Sequence, residues 1–367
     1  MMLVNHIRSL RMKKGLSQAD LAEQIGVTRQ AIGSIEACTV VPSTTIALRL
    51  ARVFHLRVED LFEEPKDELL TIAKVDATDA LWQPGDRVIL TGIGSTLTAH
   101  QATVLEGYRI LPLPASGIVV ECIDAEHVRI ERAPLPSAEQ TLVIAGCDIG
   151  LGLLAQHVER KHHSTQAMWY NADNRQALHK LQVGLAHMAA VHYPTGQPDL
   201  HPQVATFPAL QRVRFATWRI GFVVARGNPY PFKSVEDLSS GRLRLVNRPQ
   251  GAGVRTTLDS LLRAHHIPTS AVNGYTREVT GHLQVVDAIA TGTADVGITI
   301  ESAAAVAKLD FIPIHEEQCD LLFPQTSSDE GIDRILSLLH SDSFRWDLTR
   351  FGPYDIDHTG ELISSTK

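Results

Sequence analysis

The chain contains few cysteines and few aromatic residues for its length. Its 367 residues include four cysteines, and aromatic residues make up 5% of the total. The cysteines are Cys38, Cys122, Cys147 and Cys319, and no pair has the Cys-x-x-Cys spacing of a zinc or redox site. This usage favours a reducing compartment. Because aromatic side chains are scarce, binding of single-stranded nucleic acid by base stacking is not the expected function.

Signals for export or membrane insertion are also missing from the sequence. The first residues, MMLVNHIRSLRMKKG, have no apolar core ahead of a cleavage site. No run approaches the ~18 apolar residues of a membrane span. We therefore expect a soluble, cytoplasmic protein without a membrane partner. The net charge of −7 argues against a protein whose whole surface binds nucleic acid.

Composition and periodicity divide the chain into three zones. Residues 1–64 have apolar positions at helical spacing, and residues 66–138 have short strand-like runs between turn signals. Residues 139–367 alternate strand and helix, which predicts an α/β domain with a largely parallel sheet. The predicted fold class is multidomain, with an all-α helix-turn-helix head, a small β-rich middle module and an α/β domain.

The head contains a short pattern typical of DNA-binding proteins. In LSQADLAEQIGVTRQAIGSIE, residues 16–36, Ser17 and Thr28 are good helix N-caps and Gly26 permits a tight turn. This predicts two closely joined helices, of which the second enters the major groove. Residues 1–57 hold eight Lys and Arg against three acids, a net charge of +5. Such a basic patch suits phosphate contacts.

This segment resembles the Cro/repressor-like (Xre-type) helix-turn-helix family over about residues 3–62, although Ala37-Cys38-Thr39 stands where the family usually has a glycine. The resemblance implies a double-stranded DNA operator as partner. By position, Arg29, Gln30 and Ser34 are expected to face the bases, and Gln18 and Thr28 to contact phosphates. The alternative is a helical bundle that binds another protein.

A glycine-bearing loop in the third zone is a candidate anion site. It runs from Asn247 to Thr256, follows a predicted strand and opens a predicted helix. Gly251 and Gly253 would let backbone N–H groups approach a ligand, with Arg255 and Thr256 as further donors. Ordinary turn glycines are the alternative interpretation.

Residues 142–360 resemble the periplasmic-binding-protein-like, molybdate-related substrate-binding domain. The matching stretches include AGCDIGLGLL, ARGNP, LVNRPQGAGVRTTLDSLL and ATGTADVGI, in the family's order. The resemblance implies a two-lobed, type II α/β domain that closes on a small effector, for which an oxyanion such as molybdate or tungstate is the usual suggestion. Many relatives have a glycine-serine loop where this chain has Tyr170–Arg175, so Asn174 and Arg175 become the candidate donors there, while Asp173 would repel an anion.

Three further candidates lie where predicted strands end. Asp148 follows the first strand of the third zone, where it would border the cleft or cap the next helix. Thr299 and Glu301 lie at the end of the strand Val296–Ile300, the edge at which α/β sheets bind ligands.

Together these patterns predict a ligand-responsive transcriptional regulator that acts as a homodimer and is not an enzyme. Closure of the lobes would change the placement of two heads on half-sites about 34 Å apart. The alternatives are an enzyme or accessory protein of molybdenum-cofactor biosynthesis and a DNA-binding dimer whose α/β domain no longer binds a ligand. No cofactor or metal is expected, because the 17 histidines match no metal signature.

Overall fold

The chain separates into two compact units, residues 1–71 and residues 72–367. The structure is a computed structural model. It describes residues 4–37, 39–63, 70–78, 81–106, 109–112, 114–133, 141–162, 165–196, 210–325 and 330–363. The second unit contains both the β-rich zone and the α/β zone of the sequence.

Helices fill the first unit, as the apolar spacing predicts. They are α1 (Ile7–Lys13), α2 (Gln18–Ile25), α3 (Arg29–Glu36) and α4 (Thr44–Phe54), and the short strands β1 (Val4–Asn5) and β2 (Phe62–Glu63) pair antiparallel. The buried faces of the helices share one core, which includes Ile7, Leu21, Ile25, Ile32, Ile35, Leu50, Phe54 and Leu61.

Local polar contacts explain where α2 and α3 begin and how they are joined. The hydroxyl of Ser17 accepts a hydrogen bond from the backbone N–H of Asp20, whose carboxylate accepts one from the Ser17 N–H. Thr28 accepts from the N–H of Ala31. Gly26 has a φ of +71°, a left-handed conformation that glycine adopts at little steric cost. The predicted helix-turn-helix is therefore confirmed.

A small barrel forms the first part of the second unit. Its strands are β3 (Leu70–Lys74), β4 (Arg87–Ile93), β5 (Thr96–Gln101), β8 (Gly117–Cys122) and β9 (His127–Arg132), closed in the order β3-β5-β4-β8-β9. The strands β6 (Thr103–Glu106) and β7 (Arg109–Pro112) form a separate hairpin. Inward-facing side chains such as Val88, Leu90, Val119 and Ile130 fill the barrel.

The rest of the described chain forms an α/β domain around one sheet. Its strands are β10 (Thr141–Gly146), β11 (Gln166–Asn171), β12 (Met188–Pro194), β13 (Leu210–Val224), β14 (Leu245–Val246), β15 (Val296–Ile300) and β16 (Asp310–Pro324), in the order β11-β10-β12-β16-β13-β15-β14. Its helices are α5 (Gly150–Lys161), α6 (Asn174–Gln182), α7 (Gly253–Ala264), α8 (His282–Ala290), α9 (Glu301–Val306), α10 (Glu330–Leu339) and α11 (Asp342–Phe351).

Two long antiparallel strands, β13 and β16, divide this domain into two lobes. Strand β12 pairs with Glu317–Leu322 of β16, whereas β15 pairs with Ile220–Val224 of β13, toward the opposite end of the ribbon. The register of the ribbon shifts between Arg214 and Ala216 and between Ile220 and Gly221. The first lobe therefore contains β10, β11 and β12 with α5 and α6, and the second contains β14 and β15 with α7, α8 and α9.

The expectation of a largely parallel sheet is wrong at the centre of the domain. Strands β10 and β11, β10 and β12, and β14 and β15 are parallel pairs, as alternating strands and helices predict. Strand β16 is antiparallel to both of its neighbours, and β13 is antiparallel to β15. The two ribbon strands are not joined in the chain by a single crossover helix, so periodicity alone could not show that they pair.

Candidate functional sites

The residues predicted to contact DNA gather on one face of the first unit. Gln18, Arg29, Gln30 and Ser34 line the same shallow depression, together with Gly33, Ala37 and Thr39. The side chains of Arg29 and Gln30 are exposed at the start of α3. Thr28 is also exposed, and its hydroxyl caps α3. The polar side chains on the first turn of α3 are therefore accessible to a nucleic-acid surface.

A buried carboxylate fixes the three helices behind this face. Glu36, at the end of α3, accepts hydrogen bonds from Arg11 of α1 at 2.5 and 3.1 Å and from the amide of Gln18 of α2 at 2.9 Å. Burial opposes ionisation of Glu36, but the bonds from Arg11 and Gln18 lower its pKa below the usual value. Sequence reasoning missed Arg11. The amide of Gln18 orients α3, which adds a structural role to the phosphate contact predicted for it.

The structure brings four of the predicted ligand-binding residues to the boundary between the lobes. Asp148 is buried after β10, and Thr299 is buried in β15. Asn174, at the start of α6, exchanges hydrogen bonds with the backbone of His192. Gly253 begins α7 so close to the first lobe that a Cβ atom there would lie 2.9 Å from Cε1 of His192. Their roles in ligand binding stay predictions.

The other predicted residues make different contacts. Arg255 is buried, but its guanidinium pairs with Asp259 at 3.1 Å and Glu278 at 3.0 Å, so it holds its own loop together. Glu301 pairs with Arg219. Thr256 is exposed, with its hydroxyl 3.4 Å from the carbonyl of Ala252.

Arg175 and Gly251 lie at the outer end of the boundary. Arg175 is exposed and lines an open cavity of about 430 Å³ with Asp76, Tyr170 and Lys180. Gly251 has a φ of +101°, and a Cβ atom there would lie 3.8 Å from Arg175. These two residues approach each other from opposite lobes, but neither belongs to the buried group of polar side chains between the lobes.

Buried polar side chains from both lobes and the ribbon form one group, which we name the interlobe cluster. Its members are Cys147, Asp148, His192, Arg248, His282, Thr299, Glu317 and Tyr354, and none is more than 7% exposed. Beside the cluster, Gly281 of the second lobe lies against Asn171 of the first lobe, since a Cβ atom at Gly281 would lie 3.0 Å from the side-chain amide of Asn171. The lobes are therefore in contact, and the residual cavity between them is about 10 Å³.

A charged pair lies at the centre of the interlobe cluster. His192 of β12 is hydrogen-bonded through Nδ1 to Glu317 of β16, and Nε2 of His315 donates a further hydrogen bond to Glu317 at 3.2 Å. Burial opposes the charge on His192, yet its interactions with Cys147 and Glu317 raise its pKa well above the usual value. The interaction with His192 lowers the pKa of Glu317 to about 2, although burial of the carboxyl group acts in the opposite direction. His192 is thus a cation held next to Cys147 and Glu317.

His282 stays uncharged in the same cluster. Burial and the nearby charges of Arg248 and His192 lower its pKa well below the usual value. Its Nδ1 lies 3.0 Å from the hydroxyl of Thr299, so the pair shares one hydrogen bond.

Asp148 is the second carboxyl group of the interlobe cluster, besides Glu317. Its carboxyl group accepts hydrogen bonds from the N–H of Gly150 at 2.7 Å and from the hydroxyl of Tyr354 at 3.0 Å. Burial raises its pKa to about 7, although these two bonds oppose the shift. The sequence predicts two alternatives for Asp148, which are capping the next helix and bordering the cleft. Its bond to the N–H of Gly150, where α5 begins, corresponds to the cap, and its position in the interlobe cluster corresponds to the cleft.

This raised pKa makes stability depend on pH in a defined direction. Between the unfolded value of 3.8 and the folded value of about 7, the folded chain keeps a proton that the unfolded chain has lost. Stability therefore falls as pH rises through this window and levels off above it. Asp148→Asn has no ionisable group at this position and therefore lacks this decrease in stability. The free energy of unfolding of Asp148→Asn minus that of the unchanged protein should increase by about 2.5 kcal/mol from pH 5 to pH 8.

Denaturant unfolding followed by tryptophan fluorescence measures this difference, because Trp82, Trp169, Trp218 and Trp346 all lie in the second unit. Asp333→Asn, a change of an exposed acid of α10 in the same unit, serves as the control. A difference between Asp148→Asn and the unchanged protein that stays constant with pH would contradict the expectation.

Five residues of the interlobe cluster were not predicted from the sequence as ligand-binding residues: Cys147, His192, Arg248, Glu317 and Tyr354. Arg248 lay inside the predicted glycine loop, and Cys147 stood directly before Asp148, so position next to a strand end was a usable signal for both. His192 and Glu317 carried no such signal, because they lie inside strands and are 125 positions apart. Among the described residues, no group of three or more His, Cys, Asp or Glu side chains could hold a metal ion.

Fold and sites define a helix-turn-helix protein with a two-lobed α/β domain of the periplasmic-binding-protein type. The chain belongs to the PBP superfamily, whose domain model matches residues 155–340, about half of the chain, and a helix-turn-helix family model matches residues 7–61. Among the described residues, no helix is long and apolar enough to cross a membrane.

Relatives cover each part of the chain. The "Uncharacterized protein YvgK" of Bacillus subtilis is 26% identical over 236 residues, 63% of this chain and 76% of that protein. The "Uncharacterized HTH-type transcriptional regulator YgzD" of the same organism is 41% identical over 58 residues, 16% of this chain and 88% of that protein. An ABC-type phosphate transport receptor from Vibrio cholerae aligns with a TM-score of 0.42 at 17% identity, covering 58% of this chain and 99% of that chain.

Proposed function

We propose that this protein is a ligand-responsive transcriptional regulator of the cytoplasm, which binds an operator as a homodimer and is not an enzyme. The observation that carries the proposal is the interlobe cluster, a buried group of polar side chains between two lobes, in a chain whose helix α3 also exposes Arg29 and Gln30. Burying so many polar groups costs free energy that apolar packing would avoid. A ligand that joins the cluster offsets this cost.

The effector we propose is a small oxyanion, with molybdate and tungstate as the candidates that the family resemblance implies. Two features of the site support an anion. The start of α7 at Gly253, which carries partial positive charge, lies against His192 of the first lobe, and Arg248 adds a buried positive charge. The effector would bind the closed form better than the open form, and this difference in affinity shifts the protein between two operator affinities.

The DNA-binding half of the proposal predicts the effect of changing the recognition helix. An operator is first selected from random duplexes with the unchanged protein. Arg29→Ala and Gln30→Ala should each weaken binding to that operator by about 10- to 100-fold in a gel-shift titration, because each removes a base contact. Arg226→Ala, which removes an exposed charge of the second unit, is the control and should change affinity only slightly.

The same gel-shift assay tests the effector. Molybdate or tungstate should change the operator affinity of the unchanged protein, while sodium chloride at equal ionic strength should not. If Arg29→Ala and Gln30→Ala bind the operator normally, α3 does not read the bases. If operator binding is normal but no solute alters it, the α/β domain acts only in dimerisation.

A further inference from the structure

One cation of the interlobe cluster has hydrogen-bond donors without partners. Arg248 follows β14 in the second lobe, and its side chain is 3% exposed. Within the described part of the chain, its Nε and Nη1 atoms are buried and have no hydrogen-bond partner. Burial lowers the pKa of Arg248, but an arginine stays protonated at neutral pH even so. A buried charge with unpaired donors is strongly unfavourable unless an anion joins it.

The loop around Arg248 is built to hold the side chain in place. Its backbone N–H donates to the side chain of Asn247 at 2.9 Å, and its carbonyl accepts from Arg255 at 2.9 Å. Arg255 is itself fixed by Asp259 and Glu278. The position of Arg248 therefore depends on the folded loop, so the unpaired guanidinium is not a loose surface side chain.

The groups opposite Arg248 come from the first lobe. Cys147 and Asp173 are the first-lobe groups that oppose the effect of burial on its pKa, and within the described residues no carboxylate forms an ion pair with Arg248. His192, the other cation of the cluster, already has Glu317 as its counter-ion. Arg248 is thus the cation of this cluster that lacks a carboxylate partner in the described structure, and it lies across the boundary at which the lobes meet.

A further donor and the size of the residual cavity restrict the kind of anion. Within the described residues, the indole N–H of Trp218, whose ring centroid lies 6.0 Å from that of His192, is also buried without a hydrogen-bond partner. The residual cavity of about 10 Å³ is lined by Cys147 and His282, and the charge of Arg248 acts on His282. This volume is at the limit for a single water molecule. A compact ion needs only a small separation of the lobes, whereas an organic effector needs a much larger one.

We propose that Arg248 anchors the effector, and that the effector is a compact inorganic oxyanion that pairs with this guanidinium and joins the two lobes. This inference rests on the proposed function and names the residue and the ligand class on which it depends. Without the ion, the unpaired guanidinium disfavours closure. With the ion, the charge is compensated and the closed form is stabilised.

Isothermal titration of the full chain with molybdate, tungstate, sulfate and phosphate tests the inference. The unchanged protein is expected to bind at least one of the four ions, and Arg248→Gln should weaken that binding by about 100-fold or more. Arg226→Gln, the same change at an exposed arginine of the second unit, is the matched control and should bind normally. Arg248→Lys keeps the charge but not the planar guanidinium, so a loss of about tenfold is expected.

Thermal unfolding without added ion separates loss of binding from loss of fold. Because Arg248→Gln removes an unpaired buried charge, its melting temperature should equal or exceed that of the unchanged protein. If Arg248→Gln fails to fold, Arg248→Lys provides the test instead. The proposal is overturned if Arg248→Lys binds the ion as tightly as the unchanged protein does.

Two other results would overturn it: no binding of any of the four ions by the unchanged protein, or undiminished binding by Arg248→Gln. The gel-shift assay then shows which claim has failed. If a low-molecular-weight cell fraction changes operator affinity although the ions do not bind, the assignment to Arg248 and oxyanions is wrong and ligand-responsive regulation stands. If neither the ions nor the cell fraction changes operator affinity, both the assignment to Arg248 and ligand-responsive regulation are wrong.

Discussion

Asp320→Asn should lower the free energy of unfolding of the second unit by about 3 kcal/mol. Asp320 lies in β16, and its side chain is completely buried. It accepts hydrogen bonds from Arg212 at 2.7 Å, Arg214 at 2.6 Å and the hydroxyl of Tyr193 at 2.5 Å. Removing the charge leaves two mostly buried guanidinium groups without their counter-ion, which typically costs about 3–5 kcal/mol. The arginines keep slight solvent access, so the lower end of that range applies.

Denaturant unfolding followed by tryptophan fluorescence provides the measurement. Glu301→Gln is the matched control, because Glu301 also pairs with an arginine, but the Arg219 side chain is 46% exposed. Solvent screens that pair, so its loss should cost less than about 1 kcal/mol. Equal effects of Asp320→Asn and Glu301→Gln would show that the buried site contributes no more than the exposed one.

Gly253→Val should prevent the lobes from closing. Even a Cβ atom at Gly253 would lie 2.9 Å from Cε1 of His192, and His192 cannot move aside easily because Glu317 holds it. Overpacking of this kind costs about 3 kcal/mol at the upper end of the usual range. The closed form should therefore be depopulated by roughly 100-fold relative to the open form.

Amide hydrogen exchange reports this change without requiring any ligand. Exchange should accelerate in β12 around His192 and at the start of α7, while the helices of the first unit keep their rates. Gly33→Ala serves as the control, since a Cβ atom there would have its nearest neighbour at 3.9 Å. Unchanged exchange at β12 in Gly253→Val would mean that the valine is accommodated with the lobes closed.

The helix-turn-helix could be predicted in detail because its signals are local. The cap at Ser17, the cap at Thr28 and the turn at Gly26 each act over three or four residues, and the structure has all of them where the sequence places them. Exposure of Arg29 and Gln30 follows from the same helical spacing. Missing from the prediction was the contact of Arg11 with Glu36, which joins residues 25 positions apart.

The interlobe cluster was only partly predictable. Asp148 and Thr299 were identified because polar residues at the ends of strands tend to meet at one edge of a sheet. The sequence predicts Arg255 as a donor, yet the structure gives Arg255 carboxylate partners and, within the described residues, leaves donors of Arg248 unpaired. Both arginines lie in the same loop, so only their partners in the folded domain distinguish them.

The sequence by itself determined the kind of modules in this chain and their order, since helical spacing, caps, turns and strand composition act between near neighbours. Only the tertiary structure decided that β13 and β16 form an antiparallel ribbon, and that His192, Arg248 and Glu317 meet where the lobes close. The physical reason is that strand pairing and side-chain proximity between distant segments depend on packing of the whole domain, which no local pattern encodes.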